Sequence, residues 1–356
     1  MSLIVDIQQP LGDMSLVARF ETTGGVTALF GRSGAGKTSV VNAVAGLMRP
    51  RAGRVVFDGE VLFDAKQGID VPVHLRKFGY VFQDARLFPH LNVRRNLLYG
   101  AADDTDLGRV CDLLGIAALL ARPPLTLSGG EKARVAIGRA LLSGPRMLLM
   151  DEPFAALDQA RRDEILPYLE RLRDDGGVPI LYVSHAVEEV ARLAAPMVVM
   201  DQGQVVRAGP ASDLFSDPAL SPVLGPRSAG AILPGRLAAQ HQDGLSEVAI
   251  SGGRLLLPQV GGPLDSALRI RIRAQDVMLS LERPKDVSAL NILAVTVAQV
   301  HPGQGPGVMV QCRAGDDLIL ARITRRSAEG LGIVPGLACH AVITSVAVAP
   351  GNVGHL

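Results

Sequence analysis

From residue 1 to about residue 222, short continuous apolar runs alternate with stretches that are apolar on one helical face. Thr27-Ala28-Leu29-Phe30, Met147 to Met150 and Ile180-Leu181-Tyr182-Val183 are runs of the kind a strand carries when both faces of its sheet are covered, which predicts buried parallel strands. Ala133, Ala136, Ile137, Ala140 and Leu141 recur at helical spacing and line one face of a helix. The texture changes in a stretch rich in proline and glycine, Pro218 to Pro234, which reads as a linker. Beyond it apolar and polar residues alternate with period two. Leu268-Arg269-Ile270-Arg271-Ile272-Arg273 is the clearest predicted strand, and its arginines predict a solvated sheet face, with an anion contact as the alternative. Two segments share one plan of strand, glycine-centred turn and second apolar strand: Val248 to Leu257 and Val310 to Leu320. Two small barrels of common design, or two unrelated hairpins, account for that repeat. The expectation is an α/β domain over residues 1–229 followed by a mostly β domain over 230–356.

A length of 356 residues accommodates about two domains, each able to bury a core. The 36 basic and 35 acidic residues leave a formal charge of +1 without a polybasic stretch, which argues against nucleic acid or lipid headgroups as the main partner. Cys111, Cys312 and Cys339 show neither metal-ligand nor redox spacing and read as reduced core thiols of a cytosolic protein. The opening Met1-Ser2-Leu3-Ile4-Val5-Asp6 lacks the charged-then-apolar order of a signal peptide. No apolar run reaches the ~18–20 residues that span a bilayer. The chain is therefore expected to be soluble and to reach a membrane only through a partner.

Candidate chemistry begins after the first apolar run. Gly31-Arg32-Ser33-Gly34-Ala35-Gly36-Lys37-Thr38 follows a predicted strand and precedes a helical run, Ser39 to Leu47. In that context the pattern is a phosphate-binding loop. Its glycines let backbone N–H groups turn inward around phosphate oxygens, and the following helix adds its positive end. Lys37 is then expected to neutralise β- and γ-phosphates, and Thr38 to put its hydroxyl on Mg²⁺. Asp151 ends an apolar strand, which aims a carboxylate at the metal, and Glu152 follows it directly. His185 likewise follows a strand, Ile180 to Ser184.

Together with Leu127-Ser128-Gly129-Gly130-Glu131, these motifs resemble the ATP-binding-cassette ATPases. The resemblance implies a P-loop fold with a helical subdomain over about residues 86–145. It implies that Glu152 polarises the attacking water, that His185 contacts the γ-phosphate, and that Gln83 senses Mg²⁺ and the water. Ser128, Gly129 and Gly130 would start a helix whose free N–H groups bind the γ-phosphate held by a second copy. Asp158 would lie in the loop that crosses to that copy, with a helix N-cap as its alternative role. ATP would thus join two chains head to tail, and hydrolysis would release them. Leu87 and Phe88 fall in the segment that in importers of this family meets a membrane permease, and exposed apolar residues there suit an interface; packing beneath the helical subdomain is the alternative. Two departures stand out: Glu131 replaces the family's usual glutamine, and no aromatic residue precedes the phosphate loop to stack on adenine, which leaves Leu11 or Met14 to pack the base.

The second domain also carries a resemblance. Val287-Ser288-Ala289-Leu290-Asn291-Ile292-Leu293 is similar to the start of a molybdate- and tungstate-binding barrel of the OB-like Mop type, over about 286–352. Val81 to His90 and Leu127 to Leu141 look like the ATPase of molybdate importers. In that barrel family backbone amides, a serine and in some members a lysine hold a tetrahedral oxyanion across a subunit interface, and by position Ser288 and Asn291 are the candidates. The family's late Ile-Lys pair is Ile343-Thr344 in this chain, and loss of the cation is expected to weaken anion binding, with a degraded or purely structural barrel as the alternative. The resemblance implies an ATPase on the cytoplasmic face of a bacterial inner membrane that uses ATP and Mg²⁺ to energise molybdate import. Its partners would be a second copy of the chain, membrane permease subunits and, indirectly, an external oxyanion-binding protein. An ATPase for another ion such as sulfate or iron, and an oxyanion-sensing regulator outside transport, are the alternatives.

Overall fold

The computed structural model describes residues 1–193, 196–225, 229–303, 305–344 and 353–355, without the side chains of residues 159, 160 and 355. Residues 226–228 of the predicted linker, and the end of the barrel segment, 345–352, lie outside the described residues. The chain forms two units, 1–186 with 195–208 and 187–194 with 209–356. Residues 209–225, read from the sequence as the end of the first domain, thus pack with the second unit; there the Gln311 Nε2 donates to the Ser216 carbonyl at 2.7 Å.

The first unit opens with the antiparallel pair β1 (Ser2–Leu11) and β2 (Met14–Thr23). β3 (Val26–Gly31) runs through the phosphate loop into α1 (Lys37–Ala45). β4 (Ala52–Phe57), β5 (Glu60–Asp64) and β6 (Ile69–Asp70) extend the antiparallel side, and α2 (Val73–Arg76) leads to β7 (Phe78–Val81). A helical stretch with α3 (Val93–Leu97), α4 (Leu107–Leu114) and α5 (Gly129–Leu142) separates β7 from β8 (Met147–Asp151). After α6 (Gln159–Asp175) come β9 (Ile180–Ser184), β10 (Pro196–Asp201) and β11 (Gln204–Pro210).

These strands form one sheet in the order β6-β5-β4-β1-β2-β11-β10-β3-β9-β8-β7. β10, β3, β9, β8 and β7 are parallel, and β3, β8 and β9 are buried at every position. The three apolar runs of the sequence are therefore neighbours, with their carboxyl ends side by side, where open α/β sheets bind ligands. Arg76, 1% exposed, donates through Nη1 to the Ala43 and Val44 carbonyls at the end of α1 and pairs with Asp70 at 3.1 Å. The helix behind the phosphate loop is thereby capped by a buried guanidinium.

The second unit holds α7 (Val187–Leu193), α8 (Ala211–Phe215) and α9 (Ser221–Leu224), then β12 (Gly230–Gln240), β13 (Leu245–Ile250), β14 (Gly253–Pro258), β15 (Ala267–Arg273) and β16 (Val277–Ser280). It continues with β17 (Asn291–Pro302), β18 (Gly307–Ala314), β19 (Asp317–Thr324), α10 (Arg325–Gly330), β20 (Ala338–Ile343) and β21 (Val353–His355). Its two sheets have the same order, β14-β13-β12-β15-β21 and β19-β18-β17-β20-β16. Each long strand, β12 and β17, breaks register at one place, Leu237/Ala239 and Val297/Gln299. β16 follows β15 but joins the other sheet, and β21 follows β20 but pairs with β15, so the halves exchange their last strands. Their cores merge: Val248, Leu255 and Ile270 belong to the same buried cluster as Val310, Ile319 and Ala341. The repeat seen in sequence is thus the hairpin portion of a larger duplication, in a strand-rich unit consistent with an OB-like fold.

The face of β15 expected to be solvated is not. Arg271 is 3% exposed and pairs with Glu188 of α7 at 2.6 Å, and Arg269 Nη1 donates to the Arg192 carbonyl at 3.2 Å. Period-two alternation fixes which residues share a face; it does not reveal that a distant helix covers that face. The three cysteines are buried and free, and burial pushes the Cys312 thiol up to about 12. Among the described residues no helix is long and apolar enough to cross a membrane.

Candidate functional site

The phosphate loop begins where β3 ends. Gly34 and Gly36 have φ of 81° and 93°, a left-handed conformation that only glycine adopts without strain, and it turns the loop back on itself. The Lys37 ammonium is 4% exposed and donates to the Gly31 and Arg32 carbonyls at 2.8 and 3.0 Å. It also pairs with Glu152 Oε1 at 3.1 Å. The second carboxylate oxygen, Oε2, lies 2.9 Å from His185 Nδ1. Glu152 itself sits at φ 46°, unusual for a non-glycine residue, and its N–H donates to the Val183 carbonyl at 3.1 Å. Lys37 at the start of α1, Glu152 just after β8 and His185 just after β9 are thus joined in one run of polar contacts.

Beside that run, Thr38 Oγ1 donates to Asp151 Oδ1 at 3.1 Å. Burial pushes the Asp151 carboxyl above the usual aspartate value; the Thr38 hydrogen bond and the Lys37 charge oppose this, and the Glu152 charge adds to it. A carboxylate stripped of water next to a hydroxyl offers two hard oxygen donors, a set that fits a small divalent cation. Among the described residues no group of three His, Cys, Asp or Glu could hold a metal by itself. The further ligands of a cation here would be phosphate and water oxygens. Tyr80, whose hydroxyl donates to Asn42 Oδ1 at 2.9 Å, is held protonated by burial and by the Asp151 charge.

A cavity of about 630 Å³ opens at the loop, lined by Met14, Arg32, Ser33, Gly34, Ala35 and Gln202 among others. Met14 is therefore at the cavity beside the phosphate loop, whereas Leu11 and the turn Ser128 to Gly130 are not among its lining residues. That turn begins α5. Ser128 Oγ accepts from the Glu131 N–H at 3.2 Å and Glu131 Oε2 accepts from the Ser128 N–H at 2.7 Å, a reciprocal cap. A Cβ on Gly129 would come within 2.8 Å of Leu157 Cδ2, so the tip of that leucine would have to shift. Ser128 and Gly129 are exposed and Gly130 is buried. Asp158 caps α6 by accepting from the Arg161 N–H at 3.0 Å, and its side chain stays 63% exposed.

Gln83 is exposed and lines a second cavity of about 120 Å³ with Gly129, Lys132 and Pro153. Leu87 and Phe88, which the sequence suggested as exposed, are half-buried, and the Phe88 ring packs on Tyr99 at 4.3 Å. Two residues that sequence reasoning missed hold this segment. Arg139 of α5 donates to the Ala85 and Arg86 carbonyls at 3.2 and 3.0 Å. Asn96, fully buried, exchanges hydrogen bonds with the Phe88 backbone at 2.8 and 3.1 Å. Each bonds backbone rather than side chains, which leaves no signal in one sequence.

In the second unit the two oxyanion candidates separate. Ser288 lines a cavity of about 450 Å³ that Thr344 also lines, together with Met278, Val287 and Val342. Asn291 is 1% exposed, and its amide is turned to β14, accepting from the Leu256 N–H at 2.7 Å and donating to the Leu256 carbonyl at 3.0 Å.

Parallel strands that end in a glycine-rich phosphate loop and in adjacent carboxylates define the class, a P-loop nucleotide-binding ATPase. Residues 21–155 match the ABC transporter family and residues 287–350 the TOBE domain. Among solved structures, cbiO1 from Clostridium perfringens, part of the ABC transporter complex cbiONQ, is 26% identical with a TM-score of 0.52, over 61% of this chain and 90% of its own. A bacterial Atm1-family ABC exporter with ATP bound has the same TM-score at 27% identity, over 60% of this chain and 40% of the exporter. The molybdenum import ATP-binding protein ModC of Rhizobium etli is 51% identical over 98% of this chain and 99% of its own length. Its namesakes from Rhizobium meliloti and Paramagnetospirillum magneticum are 48% and 46% identical, over 98% and 99% of this chain and 99% of each relative. The chain belongs to the molybdenum import ATP-binding proteins, a family of ABC transporter ATPases.

Proposed function

We propose that the chain is the ATP-hydrolysing subunit that energises import of molybdate, with tungstate as a second substrate, at the cytoplasmic face of a bacterial inner membrane. The observation that carries the hydrolytic role is the run Lys37–Glu152–His185, which joins the start of α1 to the ends of β8 and β9 through contacts of 3.1 and 2.9 Å. When ATP enters, Lys37 exchanges Glu152 for the β- and γ-phosphates, with Gly31 to Gly36 wrapping the phosphate oxygens. Glu152, released from the lysine, accepts a hydrogen bond from the attacking water and aims it at the γ-phosphorus. His185, held at Nδ1 by Glu152, keeps Nε2 for the γ-phosphate. Thr38 and Asp151 would hold Mg²⁺, with Gln83 reporting on the metal and the water. Bound there, Mg²⁺ neutralises charge on the transferring phosphoryl group.

Ser128, Gly129 and Gly130 take the γ-phosphate of a second copy, and Asp158 meets that copy. The exposure of Ser128, Gly129 and Asp158 supports this reading. The segment Ala85 to His90, fixed by Arg139 and Asn96, passes the change to permease subunits, which receive molybdate from an external oxyanion-binding protein. The substrate is supported by the names of relatives that match almost the whole chain. In the second unit, Ser288 is the residue we assign to oxyanion contact, with Thr344 lining the same cavity.

Replacing Glu152 by Gln tests the catalytic core. Turnover is expected to fall by roughly 100-fold or more while ATP binding persists; turnover at the wild-type rate would overturn the assignment.

A further inference from the structure

Thr38 and Asn42 stand one turn apart on α1 and share a face of that helix. Opposite them lie two neighbouring strands of the same unit. β7 and β8 are parallel with Tyr80 beside Leu149, and alternation puts Asp151 on the face that Tyr80 and Leu149 share. Leu149 and Tyr80 both join the core that α1 builds with Val40 and Val44, so this is the face that α1 covers. The result is two polar rungs between helix and sheet. Thr38 Oγ1 donates to Asp151 Oδ1 at 3.1 Å, and the Tyr80 hydroxyl donates to Asn42 Oδ1 at 2.9 Å.

The two rungs are joined, because the Tyr80 hydroxyl also hydrogen-bonds the Asp151 carboxylate. That hydroxyl has one proton to give. An asparagine amide offers an acceptor on one side and a donor on the other, so Asn42 with its NH2 turned to the Tyr80 oxygen frees the proton for Asp151. The tyrosine ring is itself held: it stacks on Phe82 with centroids 4.2 Å apart and planes at 24°, and the Arg86 guanidinium lies over the Phe82 ring at 4.0 Å. Thr38 and Tyr80 are the side-chain donors to Asp151 among the described residues. When Thr38 turns its oxygen to a divalent cation, its proton leaves Asp151, and Tyr80 is the donor that remains. Hydrogen bonds to a ligating carboxylate fix where its oxygens point and tune its affinity for metal.

We infer that Tyr80 is the positioning residue for Asp151: anchored by Asn42, its hydroxyl holds the carboxylate toward the divalent cation that Thr38 and Asp151 share. The inference rests on the reading of Asp151 as a metal ligand. It gives β7 a part in the cation site without contact to the cation. Loss of the hydroxyl registers in metal affinity and leaves the phosphate loop and Lys37 untouched.

The test is Mn²⁺ binding to the full chain, titrated by electron paramagnetic resonance in the presence of a non-hydrolysable ATP analogue. Tyr80→Phe keeps the ring and its stack on Phe82 and removes the hydroxyl. It is expected to weaken Mn²⁺ binding about tenfold, while binding of the analogue in EDTA stays within about twofold. Asn42→Leu removes the anchor and should weaken Mn²⁺ binding in the same direction, and the double variant should lose no more than Tyr80→Phe alone. Wild-type Mn²⁺ affinity in Tyr80→Phe would overturn the inference. So would an equal loss of Mn²⁺ and of metal-free analogue, the mark of a purely structural hydroxyl. Wild-type Mn²⁺ affinity in Asp151→Asn would instead remove the reading of Asp151 on which the inference stands, and the inference with it.

Discussion

Ser128 and Glu131 bind each other in both directions, and Arg122 adds a second contact to Glu131 at 3.2 Å. The departure from the family's usual glutamine is therefore a charged version of the same cap. The Ser128 backbone N–H holds the Glu131 carboxyl below the usual glutamate range, with burial opposing it and the Ser128 side chain and Arg122 assisting. A lowered folded-state pKa means that this stabilisation is present above the ordinary glutamate pKa and is lost as pH falls through the folded value. Glu131→Ala should lower stability by about 1 kcal/mol at neutral pH in a chemical or thermal melt, and the difference should shrink as the solution is acidified. Glu131→Gln keeps an acceptor for the Ser128 N–H and should leave turnover within about twofold. The nucleotide-site residues were legible because each sits in a short local context: Lys37 at the end of a glycine-rich loop, Asp151 and Glu152 after an apolar run, His185 after another. Arg139 and Asn96 were not, since both act on the backbone of a segment that their own neighbourhood does not name.

β14 and β17 are tied by one side chain. Asn291, 1% exposed, satisfies both the N–H and the carbonyl of Leu256. Replacing Asn291 by Leu keeps the volume but strands two backbone polar groups, and should cost roughly 2–4 kcal/mol in a denaturant titration, with ATP turnover much less affected. Retention of wild-type stability would show that the amide is not a structural tie. The partner of Asn291 is 35 positions away on another strand, so the sequence could only rank it by family position. The same distance hid the exchange of β16 and β21 between sheets, although the strands themselves and the repeated hairpins were plain in the alternation. The arginine row of β15 misled for a related reason: alternation separates two faces, and α7, which covers one of them, lies about eighty residues earlier in the chain.

Two units share one polypeptide, and the chain passes from the first to the second after residue 186, returns at residue 195 and passes over again after residue 208. In the first unit Lys37, Glu152 and His185, which we propose as the groups of an ATP site, meet where α1 starts and β8 and β9 end; the second is a duplicated β structure with one shared core. The linker expected from Pro218 onward holds a short helix, α9, which packs with the second unit, as does α8 just before it. Composition could not foresee this, because proline in the first turn of a helix and proline in a loop look alike in a sequence. The central claim at this scale is that hydrolysis at Glu152 drives molybdate across a membrane. The most direct measurement is uptake of labelled molybdate by proteoliposomes that hold the permease with this chain on its cytoplasmic side. Molybdate should accumulate only with ATP, should stop with Glu152→Gln, and should continue under excess sulfate. ATP-driven accumulation of sulfate, with molybdate left outside, would contradict the account.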